Sequence, residues 1–150
     1  MEIERKYLIE RDKLPICYSK YPYREIEQAY LCTEPVVRVR RSDDEYYMTY
    51  KSKGLMVREE YNLPLTRESY EHLLAKADGA VIKKKRYLIP YEDRTIELDI
   101  FEGNHEGLIL AEVEFETEDM ANVFTAPDWF GEDVTFSSKY HNSTLSQNKL

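Results

Sequence analysis

The chain has 150 residues, 42% of them hydrophobic, which excludes a disordered protein and predicts a single domain over residues 1–150. Its formal net charge of −8 argues against general nucleic-acid binding, and no apolar run approaches the length that a membrane span requires. The charged residues from position 2 onward are unlike a secretory signal, and two cysteines are too few for a disulfide scaffold, so we expect a soluble cytoplasmic protein.

Most of the predicted elements are β-strands, because Val, Ile, Tyr and Thr are concentrated in short runs of the kind that strands prefer. These runs predict eight strands, at 2–9, 24–32, 36–41, 45–52, 55–63, 81–89, 94–102 and 109–116. Short turns at 34–35, 42–44 and 52–54 predict antiparallel hairpins. The fold class that follows is α+β, mainly β, with the eight antiparallel strands forming a closed barrel and a few helices flanking it.

Three helices are predicted beside the strands. The first follows Thr66, which can cap it, and is predicted to end at Gly79. Its apolar face carries residues at helical spacing, namely Tyr70, Leu73, Leu74 and Ala77. Thr117 can cap a second helix, whose acidic first turn complements the helix dipole. The tail from Ser137 predicts a short third helix.

Charged residues alternate with other residues along six of the predicted strands. In the first strand Glu2, Glu4 and Lys6 share one face, because side chains two residues apart point to the same side of a strand. Later strands repeat this spacing with pairs of charges, which are Arg38/Arg40, Arg58/Glu60, Lys84/Arg86, Glu97/Asp99 and Glu112/Glu114. Apolar side chains dominate the opposite face in several of these strands.

Two arrangements satisfy this alternation. In the first, the apolar face forms the core of the barrel and the charges are solvated, as is usual for a small barrel. In the second, the charges line a wet tunnel and helices cover the apolar face. The alternation alone favours the first arrangement, because burying an ion is costly unless partners are supplied.

The composition of the charged face points to one kind of ligand. Carboxylates without nearby His or Cys suit hard cations such as Mg²⁺ or Mn²⁺. Arginine forks and lysine ammonium groups suit phosphate oxygens. A metal–polyphosphate complex needs both, and phosphoryl transfer requires mainly positioning and charge stabilisation.

The charged residues also follow, in order, the motifs of a known family. The segment from Glu2 to Lys6 resembles the ExExK signature of the CYTH superfamily, the triphosphate tunnel metalloenzymes. Further segments resemble that family's later motifs, at 28–31, 37–40, 49–51, 58–61, 84–87, 97–101, 107–114, 129–135 and 139–145. Ala29 and Lys139 depart from the Gly and the Arg expected there, and neither touches the predicted chemistry. The resemblance replaces the first arrangement with the second, in which the charged face lines the tunnel.

The resemblance implies an eight-stranded tunnel that binds a triphosphate and hydrolyses it with Mg²⁺ or Mn²⁺. It places the metal on a set of carboxylates, which are Glu2, Glu4, Glu112 and Glu114, with Asp99 assisting. It places the phosphates on a set of bases, which are Lys6, Arg38, Arg40, Lys51, Arg58, Lys84 and Arg86. We interpret Glu60 and Glu97 as partners that orient neighbouring bases.

The resemblance leaves two possibilities for the catalytic base. One is a Tyr–Lys pair, which would fall on Tyr30 and Lys51, with a lysine pKa lowered by surrounding cations. The other is a water molecule activated by a second metal on the same carboxylates, Glu4 among them.

Three functions are compatible with this site. The first is an inorganic triphosphatase that cleaves tripolyphosphate to pyrophosphate and phosphate, since so short a chain has no evident insert that would recognise a base or thiamine. The second is a nucleotide-acting relative, either a CYTH-type adenylate cyclase or a nucleoside or thiamine triphosphatase. The third is a polyphosphate-binding module without catalysis, which the intact carboxylate pairs disfavour. The expected partner is a small-molecule triphosphate, with the chain a monomer or a homodimer.

Overall fold

The computed structural model describes residues 1–147 and contains one antiparallel sheet. Its nine strands are β1 (Glu2–Leu8), β2 (Tyr23–Thr33), β3 (Val36–Ser42), β4 (Glu45–Lys51), β5 (Val57–Arg58), β6 (Glu60–Pro64), β7 (Asp78–Tyr91), β8 (Arg94–Glu102) and β9 (Ile109–Glu114). Three short helices accompany them, α1 (Arg67–Leu74), α2 (Glu118–Asn122) and α3 (Asn142–Leu145), together with single 3-10 turns. The mainly β fold class is confirmed.

The sheet curls into a nearly closed barrel. Its strand order is β5-β1-β9-β8-β7-β2-β3-β4-β6, and its two outermost strands are separated in the chain only by Glu59. The single strand predicted at 55–63 is therefore divided into two. Its first half pairs with β1, where Glu2 faces Arg58, and its second half pairs with β4, where Lys51 faces Glu60. This change of partner closes the barrel and explains why nine strands are observed where eight were predicted.

The apolar faces of β1, β8 and β9 point outward and are buried beneath the rest of the chain. Val113 and Leu98 are fully buried there, in a cluster that also contains Ala121 of α2. Aromatic side chains after α2 complete the cover, and the ring of Phe130 lies 4.9 Å from that of Tyr7. The charged faces are thereby turned inward, which is the second of the two arrangements.

The predicted helices are present, with one correction. The hydroxyl of Thr66 accepts a hydrogen bond from the Ser69 amide at 3.0 Å and Thr117 caps α2 in the same way, both as predicted. However, α1 ends at Leu74, so the prediction that Gly79 ends it was wrong. Gly79 lies in β7 with a φ of 71°, where a Cβ would come within 2.4 Å of the carbonyl oxygen of Ser146. The absence of a side chain at Gly79 therefore allows the C-terminal segment to pack against the barrel. No helix in residues 1–147 is long and apolar enough to cross a membrane.

Candidate active site

The inward faces of the strands enclose a cavity of about 320 Å³. It is lined by most of the residues predicted to form the site, namely Glu2, Glu4, Lys6, Tyr30, Arg38, Arg40, Lys51, Arg58, Arg86, Glu112 and Glu114. Lys84 and Asp99 are fully buried behind this lining. The strand register brings the charges together, since Glu4 faces Glu114 and Lys6 faces Glu112 across β1 and β9.

Three of the carboxylates form a compact group. Glu2, Glu4 and Glu114 each offer an oxygen, and these atoms lie within 4.8 Å of one another. Burial, together with Glu112 and Glu2, raises the pKa of Glu4 to about 8. Burial, together with Glu97 and Glu2, raises the pKa of Glu114 to about 7. Oxygen donors crowded closely enough to repel one another fit a hard divalent cation, which would relieve that repulsion.

The two other predicted metal ligands lie in ion pairs. Asp99 accepts hydrogen bonds from Lys84 Nζ at 2.7 Å and from Arg86 Nε at 2.7 Å. Glu112 lies 3.3 Å from Lys6 Nζ and 3.3 Å from Arg86. Although burial acts in the opposite direction, these cations lower the pKa of Asp99 and hold that of Glu112 well below its usual range. Asp99 thus lies with the bases, whereas Glu112 pairs with bases and is also close enough to Glu4 to raise the pKa of that residue. Neither is among the three residues whose oxygens lie within 4.8 Å of one another.

Two glutamates orient bases in the way that the sequence predicts. Glu60 lies 3.4 Å from Lys51 Nζ, and Glu97 lies 3.2 Å from Arg86. Lys51 also donates to Glu2 at 3.0 Å, so its nearest charged neighbours are carboxylates instead of the cations that the Tyr–Lys hypothesis invokes. Burial, Arg86 and Arg40 instead lower the pKa of Lys84 to about 7, although Asp99 acts against them.

Tyr30 lines the same cavity as Lys51 but has a different polar partner. Its hydroxyl accepts a hydrogen bond from the side-chain amide of Gln28 at 3.3 Å. Among residues 1–147 no hydrogen bond joins Tyr30 to Lys51. Both side chains line the cavity and can reach a ligand in it. The role of this pair as the catalytic base stays a prediction.

Two arginines of β3 are held by uncharged groups. Arg38 donates to the hydroxyl of Thr49 at 3.1 Å, and Arg40 donates to the side-chain oxygen of Gln28 at 2.6 Å. The Nε atom of Arg38 is buried and has no hydrogen-bond partner in the described part of the chain. A buried donor of this kind fits an anion that would occupy the cavity.

The sequence did not predict which side chains hold these arginines, nor the part that the C-terminal segment takes. The carbonyl oxygen of Tyr140 accepts from Lys6 at 3.3 Å, and the side chain of Asn142 accepts from Lys84 at 3.3 Å. His141 Nδ1 lies 3.1 Å from Arg58. The resemblance of residues 139–145 to a family motif was the one sequence feature that pointed to this segment. That motif does not indicate which bases its residues contact.

A family model described as the CYTH domain matches residues 1–149 of this chain. A protein of Nitrosomonas europaea named inorganic triphosphatase is 36% identical over 154 aligned residues, covering 97% of this chain and 96% of that protein. A protein of Acetivibrio thermocellus with the same name is 37% identical, covering 98% of this chain and 94% of that protein.

Solved structures share the fold. The crystal structure of an inorganic triphosphatase matches with a TM-score of 0.72 at 35% identity, covering 99% of this chain and 95% of that chain. A conserved Pyrococcus furiosus protein matches with a TM-score of 0.62 at 20% identity, covering 81% of this chain and 83% of that chain. An identity as low as the second shows the barrel architecture alone.

Proposed function

The chain belongs to the CYTH family, and on that basis we propose that it is an inorganic triphosphatase, which hydrolyses tripolyphosphate to pyrophosphate and phosphate inside the barrel. The observation that supports this most directly is the presence of two groups of charges in one cavity. The three-carboxylate group, Glu2, Glu4 and Glu114, lines the same cavity as Arg38 and Arg40, which have no carboxylate partner among residues 1–147. A metal–triphosphate complex presents the matching pair of charges.

We propose that Glu2, Glu4 and Glu114 hold the divalent cation, Mg²⁺ or Mn²⁺. When bound, the cation would neutralise phosphate charge and polarise the phosphoryl group that is attacked. Glu112 and Asp99 then contribute indirectly, because they fix the positions of Lys6, Lys84 and Arg86. This assignment keeps three of the five predicted ligands in direct contact with the metal.

The bases divide the work of holding the phosphates. We propose that Arg38, Arg40 and Arg58 bind phosphate oxygens directly, since guanidinium forks match that geometry and all three line the cavity. Lys6, Lys51 and Arg86 line it as well, and their charge offsets the carboxylates that contact them. Lys84 lies behind the lining and acts through Asp99 and Arg86.

Hydrolysis also requires a group that accepts a proton from the attacking water. Lys51 and Tyr30 remain the candidates from the family resemblance, because both reach the cavity. For Lys51 to accept a proton it must exchange its contact with Glu2 for one with the substrate or with water.

The experiment that tests the function is phosphate release from tripolyphosphate, ATP and thiamine triphosphate, measured in parallel with Mg²⁺, with Mn²⁺ and with chelator. We expect metal-dependent release with tripolyphosphate far ahead of the organic substrates. Preference for ATP or thiamine triphosphate would contradict the inorganic substrate but keep the metal site. Tight binding of tripolyphosphate without turnover under either metal would instead identify a binding module.

A further inference from the structure

The cations that surround the cavity are held in two different ways. Lys6, Lys51, Lys84 and Arg86 each lie within 3.5 Å of a carboxylate oxygen, at distances of 3.3, 3.0, 2.7 and 2.7 Å. Arg38, Arg40 and Arg58 have no carboxylate oxygen within 4.0 Å among residues 1–147. Each of these three arginines instead donates to an uncharged acceptor from another part of the chain.

Gln28 provides the acceptor for Arg40. Its side chain is fully buried, and its Oε1 accepts from Arg40 Nε at 2.6 Å while its Nε2 donates to the Tyr30 hydroxyl at 3.3 Å. Because a guanidinium group only donates hydrogen bonds, this contact fixes the orientation of the amide. Burial, together with Arg38 and Arg86, lowers the pKa of Arg40.

Thr49 and His141 serve the two other arginines. Thr49 is fully buried, and its hydroxyl accepts a hydrogen bond from Arg38 at 3.1 Å and donates one to Asn62 Oδ1 at 2.6 Å. His141 is buried and accepts from Arg58 through Nδ1 at 3.1 Å. Burial, together with Lys6 and Arg58, lowers the pKa of His141 to about 3, so the imidazole is neutral at physiological pH.

We propose that Gln28, Thr49 and His141 are positioning residues that orient Arg40, Arg38 and Arg58 without neutralising them. A carboxylate at any of these places would hold the guanidinium equally well. It would also compete with phosphate for the same N–H groups and cancel the charge that attracts the triphosphate. The uncharged acceptors therefore hold each arginine in place while leaving its positive charge available to phosphate. This inference rests on the proposed function of the tunnel.

Gln28→Glu is the sharpest test, because it keeps the shape of the side chain and the oxygen that accepts from Arg40 while adding a negative charge. It also replaces the amide group that donates to the Tyr30 hydroxyl with an oxygen that can accept from that hydroxyl. We expect the KM for tripolyphosphate to rise by about 10-fold or more, with a smaller fall in kcat. Asn104→Asp, on the exposed turn after β8, adds the same charge to the surface and serves as the matched control. Thermal unfolding of each variant separates a loss of binding from a loss of fold.

His141 supplies a second test that does not depend on Gln28→Glu folding. His141→Asn and His141→Asp have the same size and both offer an oxygen to Arg58. We expect the KM of the aspartate variant to exceed that of the asparagine variant by about 10-fold. Equal KM values for this pair, or a folded Gln28→Glu variant with the wild-type KM, would overturn the inference.

The same measurements distinguish this inference from the proposed function. If the wild-type protein neither binds nor hydrolyses tripolyphosphate, the proposed function fails and the inference fails with it. If the wild-type protein does both, and either charge substitution leaves the KM where its neutral counterpart has it, only the role of the uncharged acceptors is rejected.

Discussion

At the scale of single residues, the most informative property of the tunnel is the protonation of its carboxylates. Glu4 and Glu114 have pKa values raised to about 8 and about 7, with burial as the first cause and neighbouring glutamates as the second. At neutral pH the metal-free protein therefore keeps protons on this group. A cation can occupy the group fully only after those protons have left.

Metal affinity should accordingly rise with pH. Between about pH 6 and pH 9 we expect Mg²⁺ and Mn²⁺ to bind progressively more tightly and to release protons, because binding pulls Glu4 and Glu114 into their charged forms. Calorimetric titrations in buffers of different ionisation enthalpy measure the number of protons released. Glu4→Gln should reduce both the affinity and that number. An affinity that is independent of pH over this range would contradict the assignment of the metal to these residues.

A second prediction separates the carboxylates that hold bases from those that hold metal. Asp99→Asn removes the charge that pairs with Lys84 and Arg86, and breaking a buried ion pair on one side should cost about 3 kcal/mol of unfolding free energy. Because Asp99 lies outside the three-carboxylate group, Mn²⁺ affinity should change little. Glu2→Gln is the comparison, since it should weaken Mn²⁺ binding by more than about 10-fold. Urea unfolding and Mn²⁺ titration of both variants check these values, and a large loss of Mn²⁺ binding in Asp99→Asn would restore Asp99 as a ligand.

At the scale of elements, the C-terminal segment depends on a close approach to β7. The amide of Ala80 donates to the carbonyl of Ser146 at 2.6 Å, and Gly79 leaves the space that this contact needs. Leu145 is buried against Ile82 and Leu110 on the same side of the barrel. The position of α3, and with it the contacts of His141 and Asn142 to the tunnel, therefore rests on one residue without a side chain.

Gly79→Ala should release this segment. Its φ of 71° is unfavourable for alanine, and the added Cβ would meet the Ser146 carbonyl oxygen at 2.4 Å. Gly103→Ala is the matched control, because Gly103 has a similar φ of 63° but no atom within 4 Å of the Cβ position. We expect Gly79→Ala to cost about 1–3 kcal/mol more than Gly103→Ala in urea unfolding. Equal costs would show that backbone strain, and not the packing of the segment, decides the effect.

The elements themselves follow closely from local patterns in the sequence. Alternation along β1 predicted that Glu2, Glu4 and Lys6 share a face, and the hydroxyls of Thr66 and Thr117 begin α1 and α2 where expected. The division of the predicted strand at Glu59 could not be predicted, because it depends on which strands lie on either side of the closing segment. The sequence pattern placed Gly79 at the end of a helix. The structure requires a glycine there because the Ser146 carbonyl oxygen packs against it, and Ser146 is too distant in the chain for a local pattern to reveal that contact.

At the scale of the whole molecule, the alternation in the sequence identifies the charged residues of the lining, but the closure of the barrel determines which of them pair with one another. β1 lies beside β9, so Lys6 pairs with Glu112, although the two residues are separated by most of the chain. The sequence identified the charged lining, but it placed Glu112 with Glu2 and Glu4 as a metal ligand and gave Asp99 an assisting role. The structure pairs both Glu112 and Asp99 with bases. Gln28, Thr49 and His141 all lie in segments that resemble family motifs, but those motifs do not say that the three residues hold arginines, since no charge pattern marks an uncharged acceptor.

The tunnel as a whole should gain stability from a polyvalent anion even when no metal is present. Arg40 has a lowered pKa because burial, Arg38 and Arg86 oppose its charge, and a triphosphate bound only by the native state would relieve that opposition. With chelator present to prevent turnover, tripolyphosphate at about 100 times its Kd should add about 2.7 kcal/mol of stability, which corresponds to a rise in Tm of roughly 5–10 °C for a chain of this size. Orthophosphate at the same concentration should give a smaller rise, because it reaches fewer of the arginines, and sodium chloride of matched ionic strength should not reproduce the effect. If tripolyphosphate left the Tm where the salt control has it, the arginine side of the cavity would not be a phosphate site, whatever the carboxylate side binds.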